Sequence, residues 1–397
     1  MSKPLHLFEA FGIELEYMIV DSDTLDVKPV ADELLKAMTG SYSDFENGMV
    51  TWSNELVLHV IEIKCTKPEG DLGRLGEAFH ENVQLINQVL TKWNAMLLPT
   101  AAHPLMDPKV HTVLWPHDNN DIYSLYNKMF DCRGHGWSNL QSTHLNLPFN
   151  GDNEFGRLHA AIRVLLPLLP ALCASSTVLD GKLTTDLDAR MNFYRHNQKS
   201  IPSITGLVIP EQVFTQHEYG ELIYDRIAKD IAAFNEEDIL DPVWVNSRGA
   251  MARFDRGSIE IRVMDIQECP SADMSIQNFV IGLLKTLTSG NYDRQTAITT
   301  EDLAAILDDT ICKGMNAVVS NQQWLDLFGI PGPCTVQRIL ESIGEPDKNV
   351  QLILREGNLS SRILRSLNGD TSRAAIHRTW QKLSKCLETN TMFIPAR

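Results

Sequence analysis

Apolar and polar residues alternate along five stretches of this chain, which is the pattern of half-buried β-strands. The first stretch shows it most clearly, because odd positions from Phe11 to Ile19 are apolar while Gly12, Glu14 and Glu16 share the opposite face. The predicted strands cover about residues 9–20, 56–65, 141–148, 243–254 and 258–267. Long segments separate them without the strict βαβ rhythm of a parallel sheet, so the expected fold class is α+β rather than doubly wound α/β.

Apolar residues at helical spacing predict the elements between the strands. One apolar stripe runs from Leu72 to Leu97 and predicts a long helix that begins near Asp71. Further helices are expected over about residues 155–178, 217–234 and 272–288. Beyond about residue 300, the pattern predicts short helices separated by Gly and Pro.

Acidic residues stand inside these strand-like runs, where a carboxylate costs folding free energy unless a partner meets it. Glu14 and Glu16 share one face of the first strand, and Glu260 aligns with Arg262 on the last. Asp265 has the opposite strand parity from Glu260, so a structural role is expected for it. The usual remedies for a buried carboxylate are a basic side chain, a raised pKa or a bound cation. The basic residues nearby in the sequence are too few to form a salt bridge with each of these acids.

The second and third predicted strands repeat the arrangement. Glu62 and Lys64 share one face, so Lys64 could neutralise Glu62 as a salt bridge, which competes with metal binding there. Glu55 lies seven positions before Glu62, and this odd separation would put the two on opposite faces of a regular strand. We therefore place Glu55 in the loop that enters the strand, or beyond a bulge. His144 and Asn146 face together on the third strand.

Composition and charge narrow the classes of function. The chain has 397 residues, of which 43% are hydrophobic and 22% charged, as in an ordinary globular protein. We divide it into a main domain, residues 1–299, and a helical C-terminal subdomain, residues 300–397. The formal charge of −16 argues against non-specific binding to nucleic acid or to an anionic membrane, because both need a basic surface. It suits a site for metal cations.

The cysteines and the apolar segments indicate a cytoplasmic protein. The seven cysteines are scattered without a CxxC pair, which favours reduced thiols. The N-terminal residues lack the apolar core of a signal peptide. The most hydrophobic stretch, residues 160–178, contains Arg163, Pro167 and Pro170, so a kinked, buried helix is expected rather than a membrane span.

One polar segment, residues 186–199, combines cations, amides and aromatic rings without a clean period. Such a segment is either an exposed helix and loop or the wall of a polar pocket. Arg190 and Arg195 are its candidates for binding an anion.

Four motifs in this order resemble the second glutamate–cysteine ligase family, the carboxylate–amine ligases. They are GIELEY at residues 12–17, ELVLHVIEIK at 55–64, THLNL at 143–147 and SIEIRVMD at 258–265. The resemblance covers about residues 9–290. It implies a curved, mainly antiparallel sheet of the glutamine synthetase and guanido kinase type, with flanking helices, in a ligase domain over residues 1–299. It also implies ATP-dependent amide formation, in which a substrate carboxylate attacks the γ-phosphorus and an amine displaces the resulting acyl phosphate.

The resemblance also implies roles for individual residues. The cofactors expected are ATP and Mg²⁺, with Mn²⁺ as a substitute, because phosphoryl transfer between anions needs divalent cations. The expected metal ligands are Glu14, Glu16, Glu55, Glu62, His144 and Glu260. Arg262 cannot act as a base, so it is expected to bind the transferring phosphoryl group beside catalytic Glu260. Cofactor contacts are expected from Arg190, Arg195 and Asn146.

The expected function is therefore an ATP-dependent ligase for small-molecule carboxylate and amine substrates, a glutamate–cysteine ligase of glutathione biosynthesis. Two alternatives remain at this point: a guanidino kinase-like phosphotransferase, and a nucleotide- or metal-binding relative without turnover. The identity of the amine, the number of metal ions and the oligomeric state, a homo-oligomer included, stay open.

Overall fold

A computed structural model describes residues 4–395 of the chain. Its strands are β1 Gly12–Asp21, β2 Phe45–Asn47, β3 Val50–Asn54, β4 Val60–Cys65, β5 Ala95–Leu98, β6 Ser142–Pro148, β7 Val178–Leu179, β8 Lys182–Leu183, β9 Ala250–Arg253, β10 Ser258–Asp265, β11 Val318–Val319 and β12 Cys334–Thr335.

The α-helices are α1 Ala31–Thr39, α2 Leu72–Leu90, α3 Pro108–His111, α4 Asn120–Phe130, α5 His135–Ser138, α6 Gly151–Leu165, α7 Leu169–Cys173, α8 Ala189–Tyr194, α9 Gln216–Tyr219, α10 Asp225–Ile231, α11 Pro242–Val245, α12 Pro270–Thr288, α13 Tyr292–Thr296, α14 Thr300–Lys313, α15 Gln322–Leu325, α16 Val336–Ile343, α17 Lys348–Glu356, α18 Leu359–Leu367 and α19 Arg373–Thr389.

One large open sheet organises the fold. Its strand order is β2-β3-β4-β1-β6-β10-β9, and β5 also pairs with β1. Each pairing between these strands is antiparallel. The mixed composition of helices and a mainly antiparallel sheet confirms the predicted α+β class.

The strongly alternating segments form strands as predicted, whereas shorter strands escaped the pattern. The hairpin β2–β3 and strand β5 were not predicted, and β9 is much shorter than expected. The predicted extension of the long helix to Leu97 was wrong, because α2 ends at Leu90 and Leu97 belongs to β5. Asn94 has a positive φ of 51°, which stops the 3₁₀ turn after α2 and redirects the chain into the sheet.

The apolar face of the sheet packs against helices. Ile13, Leu15 and Tyr17 of β1 are fully buried in a core shared with α2, α6 and α12. The segment Gly151–Cys173 forms the expected kinked, buried helix, with a 3₁₀ turn at Leu166–Leu168. By length and composition this one segment of the described chain could cross a membrane, but 94% of its most apolar window is buried inside the fold, as in a core helix.

The C-terminal helices pack on this kinked helix. Trp324 Nε1 donates to the carbonyl of Val164 at 3.1 Å, and Thr310 Oγ1 donates to the carbonyl of Pro167 at 2.6 Å. Apolar residues of α14 to α17 belong to the same core as the sheet. The division at residues 299 and 300 stays a prediction.

Candidate active site

Acidic residues of β1, β4 and β10 meet His144 of β6 on the face of the sheet that is turned away from the core helices. Glu14 lies between Lys64 on β4 and His144 on β6 in the pairing register. In the next row Glu16 lies opposite Glu62. Residues directly opposite one another on neighbouring strands point to the same face, so four strands contribute to one acidic face.

His144 lies at the centre of this acidic face. Its Nδ1 atom is 2.9 Å from Glu14 Oε2 and 3.6 Å from Glu260 Oε1, and its Nε2 atom is 3.8 Å from Glu16 Oε1. Asn146 Nδ2 donates to Glu14 Oε1 at 3.2 Å. Burial disfavours the imidazolium, but the hydrogen bond to Glu14 and the neighbouring carboxylate charges raise the pKa of His144 to about 9. The proton on the ring therefore balances part of the negative charge.

Hydroxyl groups hold the carboxylates in the adjacent row. Glu16 Oε2 accepts hydrogen bonds from the backbone N–H of Ser142 at 2.6 Å and from its Oγ at 2.9 Å. Glu62 Oε2 accepts from Ser53 Oγ at 2.5 Å and from Lys64 Nζ at 2.6 Å. The salt bridge between Lys64 and Glu62 is thus present. Within residues 4–395 it leaves Glu62 Oε1 without a hydrogen-bond partner, so that oxygen can still meet a cation.

The carboxylates on the acidic face outnumber the basic side chains that face them. The pKa values of several of these carboxyl groups are shifted as a result. Burial would raise the pKa of Glu14, but the hydrogen bond and charge of His144 lower it to about 2. Burial and the charge of Glu14 raise the pKa of Glu62 to about 7 despite its salt bridge. Burial, together with the charges of Glu16 and Glu62, raises the pKa of Glu55 well above its ordinary value. A bound divalent cation would favour the ionised form of these acids.

Glu55 lies in the loop between β3 and β4, as its register predicted. Its Oε2 atom accepts a hydrogen bond from the backbone N–H of Leu56 at 3.2 Å. Glu55 faces the same pocket as the sheet carboxylates, although it comes from a loop.

Three of the predicted ligands are close enough to share one metal ion. Glu14, His144 and Glu260 each offer an atom within 4.8 Å of the atoms offered by the other two. Carboxylate oxygens suit Mg²⁺ and Mn²⁺, and an imidazole nitrogen makes Mn²⁺ a plausible substitute. The donor set therefore fits a divalent cation that displaces the proton of His144.

Arg262 lies beside this triad. Its Nε atom donates to Glu260 Oε1 at 2.6 Å. Burial alone would lower the pKa of Arg262, but the negative charge of Glu260 outweighs that effect, so this pKa rises above its ordinary value. The backbone N–H of Arg262 donates to the carbonyl of Gly249 at 2.9 Å. Its guanidinium is therefore a fixed positive charge at the edge of the acidic face.

A pocket of about 370 Å³ lies over the acidic face. Among the predicted site residues, its walls include Glu14, Glu16, Glu55, Glu62, His144, Arg190 and Arg262. Asn146 and Glu260 touch these residues but do not line the pocket themselves. The pocket thus brings acids from β1, β4 and the β3–β4 loop together with His144 of β6 and two arginines.

Aromatic residues form a further part of the pocket lining, here called the aromatic wall, and only Tyr194 among them lies in the segment, residues 186–199, for which the sequence offered a pocket wall. They are Tyr123, Tyr126, Trp137, Tyr194 and Trp244. Tyr126 makes edge-to-face contacts with Trp137 at 5.5 Å and with Trp244 at 4.9 Å between ring centroids. These residues come from α4, α5, α8 and α11, whose short and irregular patterns carry no signal that would place them together.

The two arginines of the polar segment have different surroundings. Arg190 is buried, and its Nε atom bonds Asp265 Oδ1 at 2.5 Å while its side chain reaches the pocket. Arg195 pairs with Asp308 and does not line the pocket. The pocket-wall alternative for this segment therefore holds for Arg190, and the predicted cofactor contact of Arg195 stays a prediction without a pocket contact to support it.

Comparison with known proteins assigns this chain to one family and finds solved structures with the same fold. The model of a family described as glutamate-cysteine ligase family 2 (GCS2) matches residues 10–329. An uncharacterized protein of Archaeoglobus fulgidus is 32% identical over 394 residues, which cover 96% of this chain and 100% of that protein.

Two solved structures share the fold at low sequence identity. The glutamate–cysteine ligase of Francisella tularensis, crystallised with AMP, superposes with a TM-score of 0.63 at 14% identity, covering 98% of this chain and 90% of that chain. A bifunctional glutathione synthetase of Pasteurella multocida superposes with a TM-score of 0.57 at 12% identity, covering 96% of this chain and 54% of that chain. The likeness extends over nearly all of the present chain, the C-terminal helices included.

Proposed function

This chain belongs to glutamate–cysteine ligase family 2, and from that premise we propose that it is an ATP- and Mg²⁺-dependent ligase that joins the γ-carboxylate of glutamate to the amine of cysteine or a related amine. Family membership supports a carboxylate–amine ligase. The choice of glutamate, of the amine and of the metal is the further content of the proposal.

One observation carries the proposal: His144 lies within 4 Å of carboxylate oxygens from Glu14, Glu16 and Glu260, below an open pocket. Such a cluster is costly to fold unless a cation compensates it. Transfer of a phosphoryl group from ATP to a carboxylate brings two anions together and needs that compensation. The acidic face therefore matches the electrostatic demand of acyl phosphate formation.

Residues of this chain would divide the work as follows. Divalent cations would be held by Glu14, His144 and Glu260, with Glu16 and Glu62 in the adjacent row. Such cations neutralise the charge of the triphosphate and align it with the attacking carboxylate. The Arg262 guanidinium, fixed by Glu260, would bind the phosphoryl oxygens as they leave ATP.

The pocket also favours the second step, in which the amine displaces phosphate. The aromatic residues, Tyr126 and Trp137 among them, line part of the pocket above the acidic face and would reduce the access of water there once substrates are bound. Exclusion of water protects an acyl phosphate from hydrolysis, so the amine becomes the favoured nucleophile. Ile13 and the other apolar residues of β1 point into the core and contribute nothing to this chemistry.

The proposal is tested by phosphate release from ATP with Mg²⁺ over a panel of acids and amines, with mass detection of the amide. We expect release that requires both glutamate and an amine, together with a γ-glutamyl amide product. A stable N-phosphate product would indicate a guanidino kinase-like transferase instead. Nucleotide binding without turnover over the whole panel would indicate a binding protein.

A further inference from the structure

A β-bulge changes which face of the sheet Asp265 occupies. On β10, Ile261 pairs with Leu145 and Met264 with Thr143, so three steps along β10 match two steps along β6. The extra residue reverses the alternation, and Asp265 lies opposite Ser142 on the acidic face. The expectation from parity, that Asp265 faces away from Glu260, was therefore wrong.

Asp265 is fully buried there and serves mainly to hold Arg190. One carboxylate oxygen bonds Arg190 Nε at 2.5 Å. The other accepts from the backbone N–H of Ser175 at 2.7 Å and from Ser176 Oγ at 3.0 Å. Arg190 Nη2 donates to the carbonyl of Arg262 at 3.3 Å, inside the same bulge. The backbone and hydroxyl donors fix the carboxylate, and the carboxylate fixes the guanidinium.

One edge of the Arg190 guanidinium is left for a ligand. Its Nη1 atom has no hydrogen-bond acceptor within residues 4–395, although the side chain is only 2% exposed and lines the pocket. Since Nε and Nη2 already donate to Asp265 and to the carbonyl of Arg262, Nη1 is the guanidinium nitrogen left to donate to an anionic group in the pocket.

The neighbouring Asp188 does not compete for this arginine. Its Oδ1 atom accepts from the backbone N–H of Met191 at 2.9 Å and so caps α8. Burial, with the charge of Asp265, raises the pKa of Asp188 well above its ordinary value. Of the two carboxylates, Asp265 is the one that forms a hydrogen-bonded ion pair with Arg190.

We propose that Asp265 is a positioning residue: it aims Arg190 into the pocket, and this pair sets the affinity of the pocket for an anionic substrate group, a carboxylate or a phosphoryl oxygen. The planar fork of arginine suits either anion. The identity of the bound anion rests on the proposed ligase function, whereas the placement of Arg190 by Asp265 does not.

The binding test compares wild type with Asp265→Asn, Arg190→Ala and the double variant by calorimetry, using glutamate and a non-hydrolysable ATP analogue with Mg²⁺ as separate probes. We expect Asp265→Asn to weaken one of the two ligands about tenfold or more, as expected for a charge-assisted contact, and to leave the other within about threefold. Loss for glutamate identifies a carboxylate, and loss for the analogue identifies a phosphoryl group. The double variant should bind no more weakly than Arg190→Ala.

Asp273→Asn is the matched control, because Asp273 is also fully buried but lies on α12 outside the pocket wall. We expect it to bind both probes as wild type does. In steady-state assays Asp265→Asn should raise the KM of the affected substrate much more than it lowers kcat.

A crystal structure of the Asp265→Asn variant tests the positioning role without a measurement of activity. We expect the Arg190 guanidinium to leave the carbonyl of Arg262 and to turn away from the pocket. An unmoved Arg190, or wild-type affinity for both probes in a folded Asp265→Asn variant, would overturn the positioning role. Wild-type protein that binds neither probe would count against the proposed function, and the crystal structure would still decide the role of Asp265.

Discussion

His144 and the carboxylates around it form the smallest unit on which the proposed chemistry depends. Glu260 contacts both His144 Nδ1, at 3.6 Å, and Arg262 Nε, at 2.6 Å, so it joins the expected cation site to the phosphoryl-binding arginine. Glu16 lies on the other side of the ring, 3.8 Å from Nε2. Each carboxylate therefore contributes charge rather than a nucleophile.

Replacing either carboxylate by its amide tests this role. We predict that Glu16→Gln and Glu260→Gln each lower kcat by about 10²-fold or more, because each removes a fixed charge that faces the cation. Circular dichroism should show a folded protein in both cases. Glu154→Gln, at the His6 contact away from the pocket, is the matched control and should keep wild-type kcat. Wild-type turnover in both site variants would refute the assignment.

A second residue-scale prediction concerns pH and stability rather than catalysis. His159 is fully buried among Phe155, Phe214 and Tyr219, and burial lowers its pKa from 6.5 to about 3. Because the folded state resists protonation, its contribution to stability is complete above pH 6.5 and is lost as the pH falls toward 3. At pH 5 the loss for this residue is about 2 kcal/mol.

We predict that His159→Phe removes this part of the acid sensitivity. The free energy of unfolding, measured in urea at pH 7.5 and pH 5, should fall less in His159→Phe than in wild type. His217→Asn, at a histidine whose side chain is 80% exposed, should follow the wild-type slope. Parallel losses in wild type and His159→Phe would show that His159 does not contribute.

At the scale of elements, the bulge in β10 decides how the last strand serves the site. Regular alternation correctly assigned Glu14, Glu16 and Glu62 to one face, since β1 and β4 pair without interruption. The same rule failed for Asp265, because a bulge leaves no mark in the hydrophobic pattern of the strand that contains it. The sequence alone could not show that this acid lies on the same face as Glu260, where it bonds Arg190.

Gly249 provides a test of the bulge. A Cβ atom there would lie 2.5 Å from Val263 Cγ1 and 2.9 Å from Val208 Cγ1, both on stiff, buried side chains. We predict that Gly249→Ala destabilises the fold by about 1–3 kcal/mol and also lowers activity, since the Gly249 carbonyl accepts from Arg262 N–H.

Gly282→Ala is the opposite control for that substitution. Gly282 lies on the exposed side of α12, and its Cβ would meet nothing within 4 Å. Alanine should therefore stabilise the helix by about 0.5–1 kcal/mol without a change in activity. Thermal unfolding of the two variants would contradict the account if both moved in the same direction.

At the scale of the whole molecule, distant parts of the chain complete the pocket and the core. The aromatic wall comes from four separate short helices, and only the sheet face could be assembled from the alternation of the sequence. Side chains such as Trp244 carry no local pattern that marks them as pocket residues. Motif order identified the family and the acidic face, whereas the wall required the three-dimensional structure.

The C-terminal helices bear on whether the main domain can fold alone. Trp324, Thr310 and Asn358 each donate a hydrogen bond to carbonyls of the kinked helix region. We predict that a chain of residues 1–299 is destabilised and aggregates, because the buried surface of that helix would be exposed to water. Size-exclusion chromatography and thermal unfolding check this. A monomeric, cooperatively unfolding fragment would contradict it.

The most direct test of the central claim follows oxygen from the acid to the phosphate. If the γ-carboxylate of glutamate attacks ATP and an amine then displaces phosphate, one carboxylate oxygen leaves with the phosphate. With glutamate labelled by ¹⁸O in its γ-carboxylate, we predict one ¹⁸O atom in the inorganic phosphate for each amide formed. Amide formation with unlabelled phosphate, or phosphate release that needs no carboxylate, would contradict phosphoryl transfer to the acid on this acidic face.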